Sequence, residues 1–469
     1  MSAHTLARVG SRTLNATRSV RPFTVPARSD KPRLVILGSG WGGYGVLRSI
    51  DRKRYDVTVV SPSNYFNFTP LLASAAVGTL EFRCATEPVR RFTPEVDYYQ
   101  AWCDEINFDR KTLTCMPTRT IHVDGARTPG HALHSLNPGQ AFSIPYDKLV
   151  ISVGAYSQTF GIPGVKENAH FLKDVRDSRR IRATIIDCFE QASQPNVTPE
   201  ERRRLLHFCI VGGGPTGVEF AAELYDFVQK DVARALPNLL PHVRISLYDV
   251  APQILGSFDA KLAKYAEDKF KRRGIDLFTK HHVERVEPQK MYVKESGEVP
   301  FGLLVWSTGL APNPLVASVT GRLKDDKTKS LLTDDHLNVI KPDRTPDRDV
   351  WAIGDAARGE GQVLPATAQV ANQKARYLVR KLNRMAKGGV PSEPFLYKNQ
   401  GALAYLGAAT AIVDRSQVSG SMKTSPSGVF AWLLWRSAYF TMTLSNRNKV
   451  LIPIYWFITM IFGRDLTRF

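Results

Sequence analysis

Residues 33–50 read RLVILGSGWGGYGVLRSI, and this stretch decides the fold. Its first apolar run, residues 34–37, is typical of a buried parallel strand. Gly38, Gly40 and Gly43 follow in the spacing G-x-G-x-x-G, and an apolar-periodic helix comes directly after them. Such glycines permit a tight turn, the approach of a pyrophosphate and close packing of helix on strand. The stretch therefore predicts a dinucleotide-binding β-α-β unit rather than a glycine loop of another α/β protein.

The same pattern returns at residues 205–228, LLHFCIVGGGPTGVEFAAELYDFV, with Gly212, Gly214 and Gly217. The strand after it ends in Asp249, whose carboxylate would accept hydrogen bonds from a ribose and repel a 2′-phosphate. This residue predicts a preference for NADH over NADPH. Arg244 lies nearby and has two readings, a phosphate contact or a surface residue. The corresponding strand of the first unit ends in Ser61, so no acid is expected there.

Two further strands end in glycine, at Gly154 and Gly309, where the chain would pass a cofactor closely. A third apolar strand is followed by Asp355, which could hold the ribityl hydroxyls of a flavin or simply cap a helix. The order of these features favours the flavin. The expected fold class is α/β, with two Rossmann-like domains for FAD and NADH and a C-terminal membrane-docking helical region.

Composition narrows the partners of the 469-residue chain. Its formal net charge of +19 favours an anionic partner, and the absence of any nucleic-acid-binding motif makes a lipid surface a better candidate than nucleic acid. The five cysteines are widely spaced in an odd number, so buried reduced thiols are expected rather than disulfides, dithiol redox chemistry or zinc binding. No metal site is predicted, and no calcium-loop motif occurs.

The two ends of the chain have distinct compositions. Residues 1–30 are rich in arginine, serine and threonine and almost free of acids, which predicts a mitochondrial transit peptide; a disordered basic arm is the alternative. Residues 429–444 and 450–462 are aromatic-rich and nearly uncharged, yet the second run is too short to span a bilayer. We expect helices lying in the headgroup plane. A dimer interface and a buried core helix are the alternatives.

Several stretches resemble the single-chain type II NADH:quinone oxidoreductases, which are two-dinucleotide flavoproteins. They are YFNFTPLLASAAVGT at 65–79, AQVANQ at 368–373, GALAYLG at 401–407 and FGRDLTRF at 462–469. The resemblance implies a non-proton-pumping enzyme that passes a hydride from NADH to non-covalent FAD and two electrons to ubiquinone. The alternatives are an apoptosis-inducing-factor-like NAD(P)H:quinone reductase or redox sensor, and a membrane scaffold that keeps FAD for structure.

The resemblance also implies roles for individual residues. FAD is expected along Gly38, Gly40, Gly43, Gly154 and Asp355, and NADH along Gly212, Gly214, Gly217, Asp249 and Gly309. Three further residues are candidates for the chemistry: Glu219 near the nicotinamide, or else a buried residue that pairs locally, and Gln369 and Gln373 at the quinone. Asn372 and Lys374 depart from the residues of relatives.

The expected segments are a transit peptide (1–30), a first FAD part (31–175), an NADH domain (176–325), a second FAD part (326–392) and a membrane-anchoring region (393–469). The transit peptide and the quinone predict the mitochondrial inner membrane, with the matrix face favoured. A homodimer is possible.

Overall fold

The computed structural model describes residues 30–92, 94–118, 141–390, 393–418 and 426–468. The predicted transit peptide therefore lies, except for its last residue, outside the described residues.

The described residues contain the following α-helices: α1 (Trp41–Ser49), α2 (Leu72–Ala76), α3 (Val165–Asn168), α4 (Val175–Ala192), α5 (Pro199–Leu205), α6 (Pro215–Phe227), α7 (Ala233–Ala235), α8 (Ala260–Arg273), α9 (Pro314–Ser318), α10 (Ala368–Met385), α11 (Val429–Met442) and α12 (Asn446–Phe462). A π-helical turn, Val228–Val232, joins α6 to α7.

The strands are β1 (Arg33–Leu37), β2 (Asp56–Ser61), β3 (Tyr65–Asn67), β4 (Thr86–Pro88), β5 (Val96–Asn107), β6 (Thr112–Pro117), β7 (Phe142–Pro145), β8 (Lys148–Ile151), β9 (Ala155–Ser157), β10 (His170–Phe171), β11 (His207–Val211), β12 (Arg244–Asp249), β13 (Asp276–Thr279), β14 (Val283–Glu287), β15 (Lys290–Val293), β16 (Gly297–Pro300), β17 (Leu303–Trp306), β18 (Leu310–Pro312), β19 (Leu331–Thr333), β20 (Asn338–Ile340), β21 (Pro346–Ala352), β22 (Ala357–Gly359), β23 (Ala402–Tyr405), β24 (Ala411–Asp414) and β25 (Ser427–Gly428).

The larger sheet has the order β22-β19-β20-β21-β8-β1-β2-β5-β6-β7, and its central strands from β21 to β5 are parallel. Successive side chains of a strand point to opposite faces. Leu34 and Ile36 of β1 pack in one apolar cluster with residues of α1 and α10, whereas Val35 and Leu37 pack in another with residues of α9 and of β6. A strand buried on both faces explains the uninterrupted apolar run at residues 34–37.

A second sheet, in the order β10-β17-β11-β12-β13, is entirely parallel. Strand β11 is fully buried, and α4, α6 and α8 contribute apolar residues to the cluster beside it. Each sheet thus starts from one of the two glycine-rich units. The predicted α/β fold class with two Rossmann-like units is confirmed.

Strands from both predicted FAD segments share the larger sheet, because β21 pairs with β8, which pairs with β1. Two short pieces cross the predicted limits at 175 and 325. Strand β10 already pairs with β17 of the second sheet, and α9 already packs on the apolar cluster of the larger sheet. The segment limits stay predictions.

The C-terminal region consists of the small sheet β23-β24-β25 followed by α11 and α12. Helix α12 continues through Pro453 and ends at Phe462, followed by Gly463 with φ +83°. No helix within the described ranges combines the length and apolar character that crossing a membrane would need.

Candidate active site

The first glycine turn joins β1 to α1 and closes the helix onto the sheet. Gly38 has φ +98°, and a Cβ there would collide with the carbonyl oxygen of Ser152. A Cβ on Gly43 would collide with the carbonyl oxygen of Gly38, whereas one on Gly40 or Gly154 would meet no atom within 4 Å. Two of the four predicted glycines therefore shape the turn, and two border open space. This arrangement suits a pyrophosphate at the start of α1.

Asp355 follows β21 at the same edge of the sheet as Gly38, since β21, β8 and β1 are parallel neighbours. Burial raises the pKa of its carboxyl group, and the positive charge of Lys173 acts in the opposite direction. Within the described ranges no hydrogen bond to this carboxylate is found, so its oxygens are available to the hydroxyl groups of a ligand. Two roles were predicted for Asp355, a contact with the ribityl chain and the N-cap of the following helix. The N-cap of α10 is the Thr367 hydroxyl instead, so the ribityl contact is the role that stays a prediction.

Lys173 is a site residue that sequence reasoning missed. Its ammonium group donates a hydrogen bond to the carbonyl oxygen of Ala155, and burial lowers its pKa while Asp355 and Asp177 raise it. It therefore brings a partly desolvated positive charge to the side of the site where Gly154 leaves open space. No spacing rule marks a single lysine before a helix, so only the fold reveals it.

The second glycine turn repeats the design of the first. Gly212 has φ +117°, and a Cβ there would lie 2.8 Å from the carbonyl oxygen of Ser307. A Cβ on Gly217 would collide with the carbonyl oxygen of Gly212, and one on Gly214 would meet nothing within 4 Å. The start of α6 is thus a second place where a pyrophosphate can approach the backbone.

Asp249 ends β12 next to this turn, as the sequence predicts for a ribose-binding acid. Its carboxylate accepts hydrogen bonds from the backbone N–H groups of Gly213 and, at 2.7 Å, Ala251. Arg244 begins the same strand and is paired with Asp276 at 2.6 Å. Since five steps of extended chain cover about 16 Å, Arg244 lies at the opposite edge of the sheet. Of the two alternatives for Arg244, a phosphate contact and a surface residue, the structure supports the surface residue.

Gly309 differs from the glycines that border open space. It has φ +70°, and a Cβ there would lie 2.7 Å from the ring of Phe160 and 2.8 Å from the Cβ of Gln158. The next residues pair as β18 with β9, so Gly309 fixes the approach of two chain segments. The glycine is needed for this contact between residues 155–160 and 307–312.

Glu219 lies in the second turn of α6 and is 8% exposed. Its Oε1 accepts hydrogen bonds from the backbone N–H of Tyr405 at 3.0 Å and from the indole N–H of Trp435 at 3.1 Å. Burial raises the pKa of this carboxyl group to about 7, although both donors act to lower it. A carboxyl group with this pKa can take up and release a proton near neutral pH. The local-pairing alternative is only partly right, because both partners are distant in sequence.

Gln369 and Gln373 occupy the first turns of α10, and both bind the segment that precedes β23. Gln369 accepts hydrogen bonds from the Tyr397 hydroxyl and from the backbone N–H of Gln400, at 3.0 Å for the latter. Gln373 donates to the carbonyl oxygen of Lys398 at 2.8 Å and accepts from its N–H at 3.0 Å. The two amides therefore fix residues 397–401, and contact with a quinone stays a prediction.

Lys374 follows these glutamines and is 3% exposed. Desolvation lowers the pKa of its amine to about 8. In the part of the chain that the structure describes, its amine has no hydrogen-bond or ion-pair partner. A buried amine of this kind readily donates a hydrogen bond to a ligand oxygen. Lys374 is therefore a second candidate site residue whose role the sequence did not reveal.

The closing FGRDLTRF segment is anchored in the protein through Arg464, whose side chain is only 6% exposed. Its guanidinium group pairs with Asp231 at 2.8 Å and with Glu223 at 3.3 Å, and donates to the Thr79 hydroxyl at 2.9 Å. Gly463 before it must be glycine, because a Cβ there would lie 2.7 Å from the carboxylate of Asp231. The end of the chain is thus tied to α6 and to residues beside α2.

Helices α11 and α12 expose large apolar side chains to solvent. The exposed residues are Val429, Phe430, Leu433, Phe440, Val450, Ile454, Phe457, Ile458, Met460, Ile461 and Phe462. The one charge of α11, Arg436, lies between the rings of Trp432 and Trp456, with centroid distances of 4.1 and 4.4 Å. These cation–π contacts join the two helices and keep the one charge of α11 against aromatic rings.

Comparison with known proteins gives two family matches. The pyridine nucleotide-disulphide oxidoreductase family matches residues 32–375, and the NDH2 C-terminal domain matches residues 399–465. The first match covers the two sheets that contain the glycine turns. The second covers the C-terminal region, which is bound to the side chains of α6.

Individual relatives match nearly the whole chain. A mitochondrial protein of Solanum tuberosum named internal alternative NAD(P)H-ubiquinone oxidoreductase A1 is 40% identical, covering 94% of this chain and 89% of its own. A mitochondrial protein of Yarrowia lipolytica named external alternative NADH-ubiquinone oxidoreductase is 37% identical, covering 95% and 82%. The solved structure of NDH2 from Plasmodium falciparum in complex with NADH superposes with a TM-score of 0.80 at 26% identity, covering 93% and 100%.

The buried contacts of Arg464 predict a large effect of its removal. Arg464→Ala leaves Glu223 and Asp231 buried without their cation, which costs about 3–5 kcal/mol for a broken buried pair. We expect a clearly lower denaturation midpoint by tryptophan fluorescence and faster proteolysis of the C-terminal helices.

Arg468→Ala is the matched control, because Arg468 lies in the same segment but its pair with Asp187 is 65% exposed on the arginine side. An exposed pair contributes about 0–1 kcal/mol. Equal midpoints for the two variants would contradict the anchoring role of Arg464.

Proposed function

Because this chain belongs to the pyridine nucleotide-disulphide oxidoreductase family and, within it, to the alternative NADH-ubiquinone oxidoreductases, we propose that it is an FAD-dependent, non-proton-pumping NADH:ubiquinone oxidoreductase. The observation that carries the proposal is the combination of two glycine-turn sites in one chain with a C-terminal region of the NDH2 type. An apoptosis-inducing-factor-like reductase and an inert scaffold remain alternatives, and the match at residues 399–465 favours the quinone reductase over both.

Residues of the first sheet fit FAD. The open space beside Gly40 and Gly154, the start of α1 and the available carboxylate of Asp355 would hold the pyrophosphate and the ribityl chain. When bound, FAD supplies the acceptor for the hydride of NADH and the two electrons for the quinone. Lys173 would contribute a positive charge near the carboxylate of Asp355, and such a charge favours the reduced, more negative form of a bound flavin.

Residues of the second sheet would hold NADH. Its pyrophosphate would lie at the start of α6 beside Gly214, and the carboxylate of Asp249 would accept the ribose hydroxyls. A 2′-phosphate would meet this negative charge. The site should therefore bind NADH better than NADPH.

Stopped-flow spectroscopy of the purified holoprotein tests the enzyme and its nucleotide preference together. The flavin band should bleach faster with NADH than with NADPH and return when a soluble ubiquinone analogue is added. Asp249→Ser should reduce the NADH to NADPH ratio of kcat/KM about tenfold to a hundredfold, since a polar partner of the ribose is lost.

Asp268→Ser is the control for this experiment, because Asp268 is an exposed residue of α8 paired with Lys264. Equal rates with both nucleotides in the unaltered protein would refute the role of Asp249. A flavin band that does not respond to either nucleotide would support the scaffold instead.

Glu219 is proposed to pass a proton during quinone reduction. Quinone takes up two protons with its two electrons. Glu219 is a buried acid with a pKa of about 7 that accepts hydrogen bonds from β23 and from α11. Its protonated form predominates below pH 7. Quinone reduction should therefore slow as the pH rises through 7.

Glu219→Gln should abolish this decline and lower the maximal rate by about a hundredfold, the usual contribution of a positioned acid. Stability provides an independent readout. Because the folded-state pKa is raised from 4.5 to about 7, the folded protein holds a proton that the unfolded chain releases, and the unaltered protein loses stability relative to E219Q as pH rises from about 4.5 to about 7. Glu284→Gln, on the exposed face of β14, should leave both profiles unchanged.

Gln369, Gln373 and Lys374 are proposed to form the quinone side of the site. The two amides hold residues 397–401 in place, and the amine of Lys374 is the donor that remains available to a quinone oxygen. In this proposal the glutamines position the wall of the site, and a direct contact with the quinone head is made by the lysine.

The apolar surface of α11 and α12 is proposed to dock on an anionic membrane, on the matrix face of the mitochondrial inner membrane. Ubiquinone is a lipid-soluble substrate, so the site must open toward lipid. Arg447 is exposed at the start of α12 and can meet lipid phosphates while the apolar residues enter the interface. The relatives' mitochondrial names support the organelle, and a homodimer stays a prediction.

Vesicle flotation measures this docking. The holoprotein should bind vesicles containing phosphatidylglycerol more tightly than pure phosphatidylcholine vesicles, and Phe457→Asp with Ile461→Asp should weaken binding at least tenfold by placing two charges in the interface. Val390→Asp changes an even more exposed apolar residue away from both helices and serves as the control. Unchanged flotation of the double variant would exclude α12 from the docking surface.

A further inference from the structure

Two cysteines that are apart in sequence lie directly opposite each other in the structure. Cys103 of β5 pairs with Cys115 of the antiparallel strand β6, in a register that continues through Trp102 with Met116 and Ala101 with Pro117. Cys115 is fully buried and Cys103 is half-buried. The expectation of reduced thiols is confirmed, because all five cysteines are free, and only Cys103 departs from the expected burial. The eleven residues between Cys103 and Cys115 form the hairpin that brings the two together.

The ladder sets the spacing of this pair. The N–H of Thr118 donates to the carbonyl oxygen of Gln100 at 2.9 Å, which makes Gln100 and Thr118 a hydrogen-bonded pair. Since the two kinds of pair alternate in an antiparallel ladder, Cys103 and Cys115 occupy a non-hydrogen-bonded position. Opposed Cα atoms there are about 4.5 Å apart, which is within the range that disulfides require, about 4.4–6.8 Å.

The Cys103 thiol has a hydrogen-bond partner on its own strand. It donates to the carbonyl oxygen of Glu105, 3.4 Å from Sγ. The neighbouring Cys115 thiol and burial both raise the pKa of Cys103. Its thiolate is therefore scarce at neutral pH, and the pair should react with a sustained supply of oxidant rather than with brief exposure.

We propose that Cys103 and Cys115 form a reversible disulfide that cross-links β5 to β6. The oxidant is hydrogen peroxide. Sulfur of Cys103, the more accessible residue, attacks one peroxide oxygen; the O–O bond breaks, and the departing oxygen leaves as water with the thiol proton. Sulfur of Cys115 then attacks the resulting sulfenic acid; the S–O bond breaks, and a second water leaves with the proton of Cys115.

The two thiols lose two electrons in total, and one peroxide is reduced to two waters. A small dithiol reverses the cross-link by exchange. Neither strand carries a residue assigned to FAD, NADH or quinone, so the disulfide should leave turnover unchanged. It closes a short loop over the apolar cluster that contains Leu315 of α9, and it should therefore stabilise this side of the larger sheet.

Thiol counting and peptide mapping of the holoprotein test the proposal. After hydrogen peroxide treatment and denaturation, alkylatable thiols should fall from five to three, with a Cys103–Cys115 peptide that has lost two hydrogen atoms. Dithiothreitol should restore all five. C103S and C115S should each prevent the cross-link, whereas C188S, which alters a buried cysteine of α4, should not.

Hydrogen exchange of the hairpin amides gives the second readout. Exchange should slow about a hundredfold in the oxidised protein, because a cross-link that closes a loop of this length disfavours opening of the hairpin. The effect should be absent in C103S. Five reactive thiols after prolonged oxidation, sulfinic acid at Cys103, or disulfides only between molecules would each overturn the proposal. Peptide mapping of the unaltered protein gives this answer even if a serine variant fails to fold.

Discussion

Four buried carboxylates along one helix and its extension hold the molecule together. Glu219 and Asp226 of α6 both accept hydrogen bonds from Tyr405. Glu223 of α6 and Asp231 of the following π turn both pair with Arg464, and Glu223 also accepts from the Ser74 hydroxyl. Their partners include the backbone of β23, residues beside α2, and Arg464. A buried carboxylate without such partners would cost several kcal/mol. The C-terminal region is therefore fixed in position by the helix whose first turn forms the second nucleotide site.

This arrangement links the three parts of the proposed reaction. The glycine turn at the start of α6 is the proposed nucleotide site, and Glu219 lies one turn further along, bonded to β23 and to α11. The exposed apolar surface belongs to α11 and α12. One helix thus begins at the proposed nucleotide site, carries the proposed proton carrier and supports α11 of the proposed docking surface. The glutamines of α10 reinforce the same region from the other sheet by fixing residues 397–401.

The sequence was sufficient where function depends on local geometry. Strand, glycine turn and helix are adjacent in the chain, so both nucleotide turns, the strand-end positions of Asp249 and Asp355 and the short C-terminal helices could be predicted. It was insufficient where partners are far apart. The contacts of Glu219 with Tyr405 and Trp435, and those of Arg464 with Asp231 and Glu223, join residues separated by 186 to 241 positions.

Other features depend on the register of strand pairs or on the direction of side chains, which composition and motifs do not predict. The opposition of Cys103 and Cys115 follows from the pairing of β5 with β6. The glutamines were correctly predicted to share one helix face, but their hydrogen bonds to the backbone of residues 398–401 required the fold. Lys173 became notable only through its burial, and Lys374, which the sequence marked only as a departure from relatives, gained its candidate role in the same way. A lysine in a sequence gives no sign of how much water surrounds it.

The π turn at Val228–Val232 has a consequence for how this chain can vary. A π turn contains one more residue than an α turn, and each residue of a helix contributes about 100° of rotation. Deleting one residue here would restore a regular helix and swing the Asp231 carboxylate away from Arg464, while the acids earlier in α6 would keep their directions. The number of residues in this turn thus determines the direction in which the Asp231 carboxylate points. Relatives that gained or lost a residue in it would need a compensating change at the very end of the chain.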